Sequence, residues 1–166
     1  EVARKRQSPL VIETDEHPRL SSIETLAKLK PVVHPQGSVT AGNASGINDG
    51  SAALLVASDQ SLTDHQLVPK ARIVATTCAG VEPSIMGFGP APAIKKVLEL
   101  AQLPLEQMDV IEINEAFASQ VLSVVNHLGI DGDDPRINPN GGAIALGHPL
   151  GMSGARVIGT AMNQLI

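Results

Sequence analysis

The sequence predicts an α/β fold, because short apolar runs alternate with amphipathic segments from residue 52 onward. Residues 52–57 form a continuous apolar run that suits a buried strand. Residues 90–103 instead repeat their apolar side chains at helical spacing, which puts four of them on one face: Ile94, Val97, Leu98 and Ala101. Strands that alternate with helices in this way imply a sheet covered by helices.

The N-terminal part precedes this alternation and is more polar. Residues 1–20 are charged and contain two prolines, so we predict an extended or loop segment. A short helix follows, because Ser21 and Glu24 have the spacing of a capping box and Pro31 ends the apolar pattern. The stretch GSVTAGNASGINDG, residues 37–50, is too rich in Gly, Asn and Ser for regular structure and predicts turns that allow close backbone approach.

The later elements follow from the same patterns. The predicted strands are residues 52–57, 72–79, 109–113 and the beginning of the unit 136–146. The predicted helices begin at Ser58, Pro90, about Glu115 and Pro149, and Gly129 ends the third of them. The chain starts with Glu and reaches Ile166 inside an apolar-periodic pattern, which suggests a segment of a longer protein.

Composition excludes several classes of function. The chain has 166 residues, a net charge of -5, a pI near 5.4, two Phe, no Trp and no Tyr, so nucleic acid is not an expected partner. We expect no membrane span, because no apolar run is long enough. The single cysteine, Cys78, suits a reduced, cytoplasmic setting, and its apolar strand pattern indicates a core residue rather than a nucleophile. The five histidines share no ligand spacing, so no metal is expected.

His148 is the strongest candidate for chemistry. It lies between Gly147 and Pro149 within NPNGGAIALGHPLGMSGAR, residues 138–156, which holds five glycines. Proline at the first helical position would place His148 at a helix N-cap, where the positive end of the dipole favours a neutral imidazole, as a general base requires. A histidine that only caps a helix is the alternative, but so many glycines indicate that a ligand or another backbone comes close.

Asn114 is the second candidate. It lies in EINEAFA, residues 112–118, where a predicted strand meets a helix, and ligands tend to bind at such strand ends. Its amide could face an oxyanion or a water during acyl transfer. On this segment alone the plainer interpretation, that Asn114 is an N-cap, is favoured. The loop at residues 39–50 could bind phosphate through its backbone, but no Walker lysine and no GxGxxG accompanies it.

Four segments in order, VTAGNASGINDG, MGFGPAPA, EINEAFA and NGGAIALGHPLGMSGAR, resemble the motif series of the C-terminal half of thiolases. The resemblance covers nearly the whole chain from Asp15 onward. It implies a thiolase-like fold, of which this chain holds part of one βαβαβαββ half and the end of a loop domain. Residues 1–46 would be that end, 47–68 the last strand and helix of the N-terminal half, and 69–166 a truncated C-terminal domain.

The resemblance also implies a reaction: an acyl-CoA C-acyltransferase that cleaves a 3-ketoacyl-CoA with CoA, or runs the reverse Claisen condensation. His148 resembles the catalytic histidine, and Asn114 the residue that holds a water in an oxyanion hole. Residues that resemble the family's contacts to the pantetheine arm or its pocket lining are Ser45, Ala41, Met86, Ala116 and Phe117. Coenzyme A would be a substrate, with no permanently bound cofactor, and the family is typically dimeric or tetrameric.

The chain departs from the family pattern at the two catalytic cysteines, for which it has no matching segment, so we expect this chain by itself to be inactive. The DEHPR element at residues 15–19 looks most like bacterial β-ketoadipyl-CoA thiolases of aromatic degradation. Acetoacetyl-CoA thiolases share nearly everything else. Two further classes stay open: a non-catalytic CoA- or lipid-binding protein of the same fold, and a nucleotide-dependent oxidoreductase, which the missing GxGxxG disfavours.

Overall fold

The computed structural model describes residues 2–166, and Glu1 lies outside the described residues. It contains one small sheet, six α-helices and two 3₁₀ segments, Pro83–Phe88 and Leu105–Gln107, within that range. The strands are β1 (Val2–Arg4) and β2 (Gln7–Leu10). The helices are α1 (Ile23–Leu26), α2 (Asp59–Asp64), α3 (Pro90–Ala101), α4 (Ala118–Leu128), α5 (Ala143–Leu146) and α6 (Leu150–Leu165).

The first difference from the sequence prediction is the hairpin at the N-terminus. β1 and β2 pair antiparallel, with Val2 opposite Leu10, where an extended or loop segment was expected. Pro9 lies inside β2, which a two-stranded ribbon tolerates because each strand has one edge without a partner. The following helix α1 is capped by Ser22, whose side chain accepts a hydrogen bond from the Thr25 amide, and not by Ser21 as predicted.

The predicted strands at residues 52–57 and 72–79 do not form strands. Both segments lack ladder partners among the described residues, and their apolar side chains are exposed: Leu55 by 85 %, Val56 by 71 % and Ile73 by 60 %. A strand needs a neighbour to satisfy its backbone, so an apolar run alone does not create one. Residues 109–113 and 136–146 likewise form no strand, and the described residues show one parallel bridge between them, at Ile111 and Ile137.

The core lies where α3, α4 and the Ile111–Ile113 backbone meet. Val124 and Val125 of α4 are almost completely buried and pack against Ala91 of α3. Ile111 and Ile113 fill the opposite side. These aliphatic contacts therefore fix the segment that leads directly into Asn114.

The helix boundaries show which of the candidate residues are helix N-caps and which are not. α4 begins at Ala118 with Phe117 as its N-cap, three residues later than the predicted start at Glu115, and Gly129 ends it with φ of 75° as predicted. α6 has Pro149 as its N-cap, so the prediction that His148 is the N-cap is wrong by one residue. Ser58 caps α2 as expected. No helix of the described chain is long and apolar enough to cross a membrane.

Candidate active site

His148 lies in the tight connection between α5 and α6. Gly147 has φ of 97° there, a conformation that residues with a side chain disfavour. The His148 amide donates to Gly46 O at 3.2 Å and to Asn48 Oδ1 at 3.1 Å. The connection is therefore tied at His148 to the Gly-rich loop at residues 37–50, which is where the sequence predicted close backbone approach.

The imidazole of His148 has a defined hydrogen-bond arrangement. Its Nδ1 lies 2.7 Å from Ser153 Oγ, and that hydroxyl donates to Pro149 O at 3.1 Å. Because the hydroxyl proton is directed at the carbonyl, Ser153 Oγ accepts from Nδ1–H. Nε2 then carries the lone pair, which is the state that a general base needs.

Asn114 faces that lone pair. Its Nδ2 lies 3.4 Å from His148 Nε2, a distance slightly longer than a good hydrogen bond. Its Oδ1 is buried and has no hydrogen-bond partner among residues 2–166. Since Phe117 is the N-cap of α4, the interpretation of Asn114 as a helix cap is wrong. The structure brings together the two residues that the sequence singled out for chemistry.

Glu115 and Asn138 connect the segment that carries Asn114 to the segment that precedes His148. Asn138, which is 8 % exposed, accepts from the Ile113 amide at 2.8 Å and donates from Nδ2 to Glu115 Oε1 at 2.7 Å. Glu115 Oε2 accepts from the Ile144 amide at 3.1 Å. Sequence reasoning missed both residues as well as Ser153, although the position of Glu115 next to Asn114 was a usable signal.

A second carboxylate lies beside this network. Both oxygens of Glu112 are buried without hydrogen-bond partners in the described chain, and so are all three guanidinium nitrogens of Arg156. Burial raises the pKa of Glu112, the charge of Arg156 opposes the rise, and the charge of Glu115 adds to it. Glu112 lies two residues before Asn114, and Arg156 lies on α6, the helix that begins just after His148.

The residues expected to contact coenzyme A are only partly brought together. Ser45 donates its amide to Ala116 O at 3.0 Å and its hydroxyl to the same oxygen at 3.3 Å, and Ala44 forms a bridge with Phe117. Ser45, Ala116 and Phe117 therefore line one edge next to Asn114. Met86, which is 74 % exposed, and Ala41, which is also exposed, have no backbone hydrogen bond to Ser45, Ala116 or Phe117 within the described range.

Cys78 differs from the sequence expectation. It is exposed rather than buried in a core, because the strand predicted around it does not form. Its carbonyl oxygen accepts from Thr77 and Lys96, each at 3.4 Å, and no hydrogen bond joins it to His148. Cys78 is not part of the site around His148 and Asn114. Among residues 2–166, no cluster of His, Cys, Asp and Glu has the geometry of a metal site.

Comparison with known proteins agrees with the resemblance seen in the motifs. The family model described as "Thiolase, C-terminal domain" matches residues 67–166, and the one described as "Thiolase, N-terminal domain" matches residues 1–60. A β-ketoadipyl-CoA thiolase of Acinetobacter baylyi is 63 % identical over 165 residues, and an acetyl-CoA acetyltransferase of Syntrophomonas wolfei is 47 % identical over 164. Both alignments cover 99 % of this chain but only 41 % of the relative, so the chain spans about two fifths of their length.

Solved structures show the same likeness in three dimensions. Human mitochondrial 3-ketoacyl-CoA thiolase in complex with CoA superposes with a TM-score of 0.88 at 48 % identity. The superposition covers 93 % of this chain and 39 % of that protein. The predicted α/β, thiolase-like fold is thereby confirmed, even though two of its strands lack partners within the described residues.

Proposed function

The chain belongs to the thiolase family, and we propose that the protein containing it is an acyl-CoA C-acyltransferase that cleaves a 3-ketoacyl-CoA with CoA. One observation carries this proposal: His148 Nε2 faces Asn114 Nδ2 at 3.4 Å while its Nδ1 lies 2.7 Å from Ser153 Oγ, an arrangement that assigns the lone pair to Nε2. A base beside an amide donor is the arrangement that acyl transfer requires. The reverse Claisen condensation would use the same groups.

In the proposed first half-reaction, His148 takes the proton of an attacking thiol. The family resemblance places that cysteine outside the motifs present here, and Cys78 has no contact that would let it serve. The sulfur bonds to the 3-keto carbon, the C2–C3 bond breaks, and its electron pair goes to C2 of the departing acyl-CoA, which takes up the proton that His148 received, so that Nε2 is free again. An acyl thioester remains on the enzyme.

In the second half-reaction, the thiol of CoA gives its proton to the same base and displaces the acyl group, which restores the cysteine. Once Nε2 is protonated it becomes a donor, as Asn114 Nδ2 already is. Two donors that face each other can both be satisfied only by an oxygen placed between them. The pair would therefore hold the developing oxyanion, directly or through a water.

For the substrate we propose β-ketoadipyl-CoA, which yields succinyl-CoA and acetyl-CoA. Support comes from the 63 % identity to a β-ketoadipyl-CoA thiolase, against 47 % to an acetyl-CoA acetyltransferase. Acetoacetyl-CoA is the alternative substrate. Coenzyme A binding is supported by the CoA complex of the human enzyme and by the edge formed by Ser45, Ala116 and Phe117.

A chimera tests the proposal, because this chain resembles only part of the family's length. The 165 aligned residues of the Acinetobacter baylyi relative are replaced by this chain, and cleavage of β-ketoadipyl-CoA and acetoacetyl-CoA is measured. We expect turnover that falls about 100- to 10,000-fold in His148→Ala and about 100- to 1,000-fold in Asn114→Ala. A folded chimera that binds CoA without turnover would favour a non-catalytic thiolase-like protein, and equal rates in His148→Ala would refute the assigned base.

A further inference from the structure

We propose that His17 and Asn48 are positioning residues that hold the backbone of the segment at residues 144–148 and so set the position of the His148 imidazole. Neither residue touches the imidazole itself. The proposal rests on the function proposed above for its catalytic consequence. The clamp itself stands on two contacts to residues 144–148 that span 127 and 100 residues of sequence, and on one between His17 and Asn48 that spans 31.

The contacts run from one side of the segment to the other. His17 Nε2 lies 3.0 Å from Ile144 O, and His17 Nδ1 lies 3.3 Å from Asn48 Nδ2. Asn48 Oδ1 then accepts the His148 amide at 3.1 Å. Ile144 and His148 lie on opposite sides of the Gly147 turn. The two-residue clamp therefore binds the Ile144 carbonyl before the turn and the His148 amide after it.

The direction of each hydrogen bond in this series follows from the two backbone groups at its ends, the Ile144 carbonyl and the His148 amide. A carbonyl oxygen only accepts, so His17 Nε2 carries the proton, and Nδ1 is left to accept from the Asn48 amide nitrogen. Asn48 Oδ1 therefore points to the His148 amide, which only donates. Both ring nitrogens and both ends of the Asn48 amide are used, which fixes the His17 tautomer and the orientation of the Asn48 side chain.

Two glycines give independent support, because each leaves the space that the clamp occupies. A Cβ on Gly46 would lie 2.8 Å from His17 Nδ1 and 2.9 Å from Asn48 Oδ1. A Cβ on Gly147 would lie 2.6 Å from Asn48 Oδ1, in addition to the strain of its positive φ. The backbone at both positions is thus packed directly on the two clamping side chains.

The consequence for the proposed reaction is geometric. The His148 ring is anchored at Nδ1 by Ser153, but its Cα moves with the amide that Asn48 holds. A shift of about 1 Å at a reacting group can lower turnover on the order of 100-fold. Loss of the clamp should therefore lower kcat, whereas KM should change little because Ser45, Ala116 and Phe117 do not contact His17 or Asn48 through hydrogen bonds.

The variants are chosen to separate hydrogen bonding from shape. His17→Phe keeps an aromatic ring without donors or acceptors, whereas His17→Gln supplies one of each. Asn48→Leu removes both ends of the amide at similar size. His34→Phe is the matched control, because His34 is exposed and only accepts from the nearby Gln36 amide.

Two measurements distinguish failure of the clamp from failure of the proposed function. Hydrogen exchange of the His148 amide can be measured in this chain without any enzymatic activity. We expect exchange at least about tenfold faster in His17→Phe and Asn48→Leu. We expect an unchanged exchange rate in His34→Phe and a nearly unchanged one in His17→Gln. Unchanged exchange in both clamp variants would overturn the clamp. In the chimera we expect kcat to fall roughly 10- to 100-fold in His17→Phe with KM within about twofold, and partial recovery in His17→Gln.

The catalytic consequence is overturned if faster amide exchange leaves kcat unchanged, or if His17→Gln loses as much kcat as His17→Phe. A chimera that never turns over refutes the proposed function, and the exchange measurement then still decides the clamp.

Discussion

The carboxylate of Glu115 lies directly over Gly142, so close that a Cβ on that glycine would overlap it. From this position Glu115 accepts hydrogen bonds from Asn138 Nδ2 at 2.7 Å and from the Ile144 amide at 3.1 Å. The first links it to Asn138, which also accepts from the Ile113 amide, and the second links it to the start of α5. The absence of a side chain at residue 142 is therefore what allows the two halves of the candidate site to approach.

The first prediction follows from this overlap. Gly142→Ala should lower the free energy of unfolding by about 1–3 kcal/mol, because either Glu115 or the backbone of α5 has to move. Urea unfolding of the chain measures the change. Gly159→Ala is the matched control, since no atom lies within 4 Å of its Cβ position in α6 and alanine is the better helix former. Equal losses in the two variants would contradict the steric explanation.

The second prediction concerns Ser153, which is 4 % exposed and holds the Nδ1 proton of His148. Ser153→Ala removes the acceptor that residues 2–166 offer to that proton, so the neutral ring should shift toward the tautomer with the proton on Nε2. ¹⁵N chemical shifts of the two ring nitrogens measure the tautomer in this chain. In the chimera, kcat should fall about tenfold, because a smaller fraction of His148 is ready to accept a proton.

Ser153→Thr is the control for this effect, since it keeps the hydroxyl while adding a methyl group at a buried site. It should preserve the tautomer even if packing lowers stability. If the ¹⁵N shifts of Ser153→Ala equal those of the parent chain, another group fixes the tautomer and the role assigned to Ser153 is wrong.

The sequence predicted the helices of the fold better than its strands. Residues 90–103 and 115–128 became α3 and α4 with boundaries shifted by two or three residues, because helix hydrogen bonds and caps are local. Residues 52–57 and 72–79 formed no strand, because a strand depends on a neighbour that local sequence does not reveal. The homo-oligomeric state and the domain boundaries stay predictions that no described contact tests.

The sequence predicted the two central residues of the candidate site but not the residues that position them. His148 could be found because a histidine among so many glycines is unusual locally, whereas Asn114, an expected N-cap on its own segment, was found mainly through the family resemblance. His17, Asn48, Asn138 and Ser153 could not be found as readily, because their roles depend on partners up to 127 residues away or on a tautomer. Asn138, with φ of 44°, carried a local signal only in the Asn-Pro-Asn turn sequence.

The third prediction concerns acid unfolding. Hydrogen bonds from the Arg136 side chain and amide lower the pKa of Asp134 from 3.8 to about 2. Because the pKa is lower in the folded state, this interaction stabilises the fold above pH 3.8 and is lost as the pH falls toward 2. The stability difference between the parent chain and Asp134→Asn should therefore shrink across that range. A difference that stays constant as the pH falls would show that Asp134 contributes no charge interaction.

The fourth prediction has the opposite sign and concerns Glu112. Burial raises its pKa above 4.5 in the folded state, so between 4.5 and that higher value the folded chain holds a proton that the unfolded chain has lost. Relative to Glu112→Gln, the parent chain should gain stability as the pH is lowered from 7 and should reach its full gain below pH 4.5. Urea unfolding at a series of pH values measures the difference. Arg156→Gln should widen the pH range over which the stability changes, because it removes the positive charge that opposes the rise in the pKa of Glu112. A stability difference that does not depend on pH in either comparison would mean that Glu112 is ionised with its ordinary pKa.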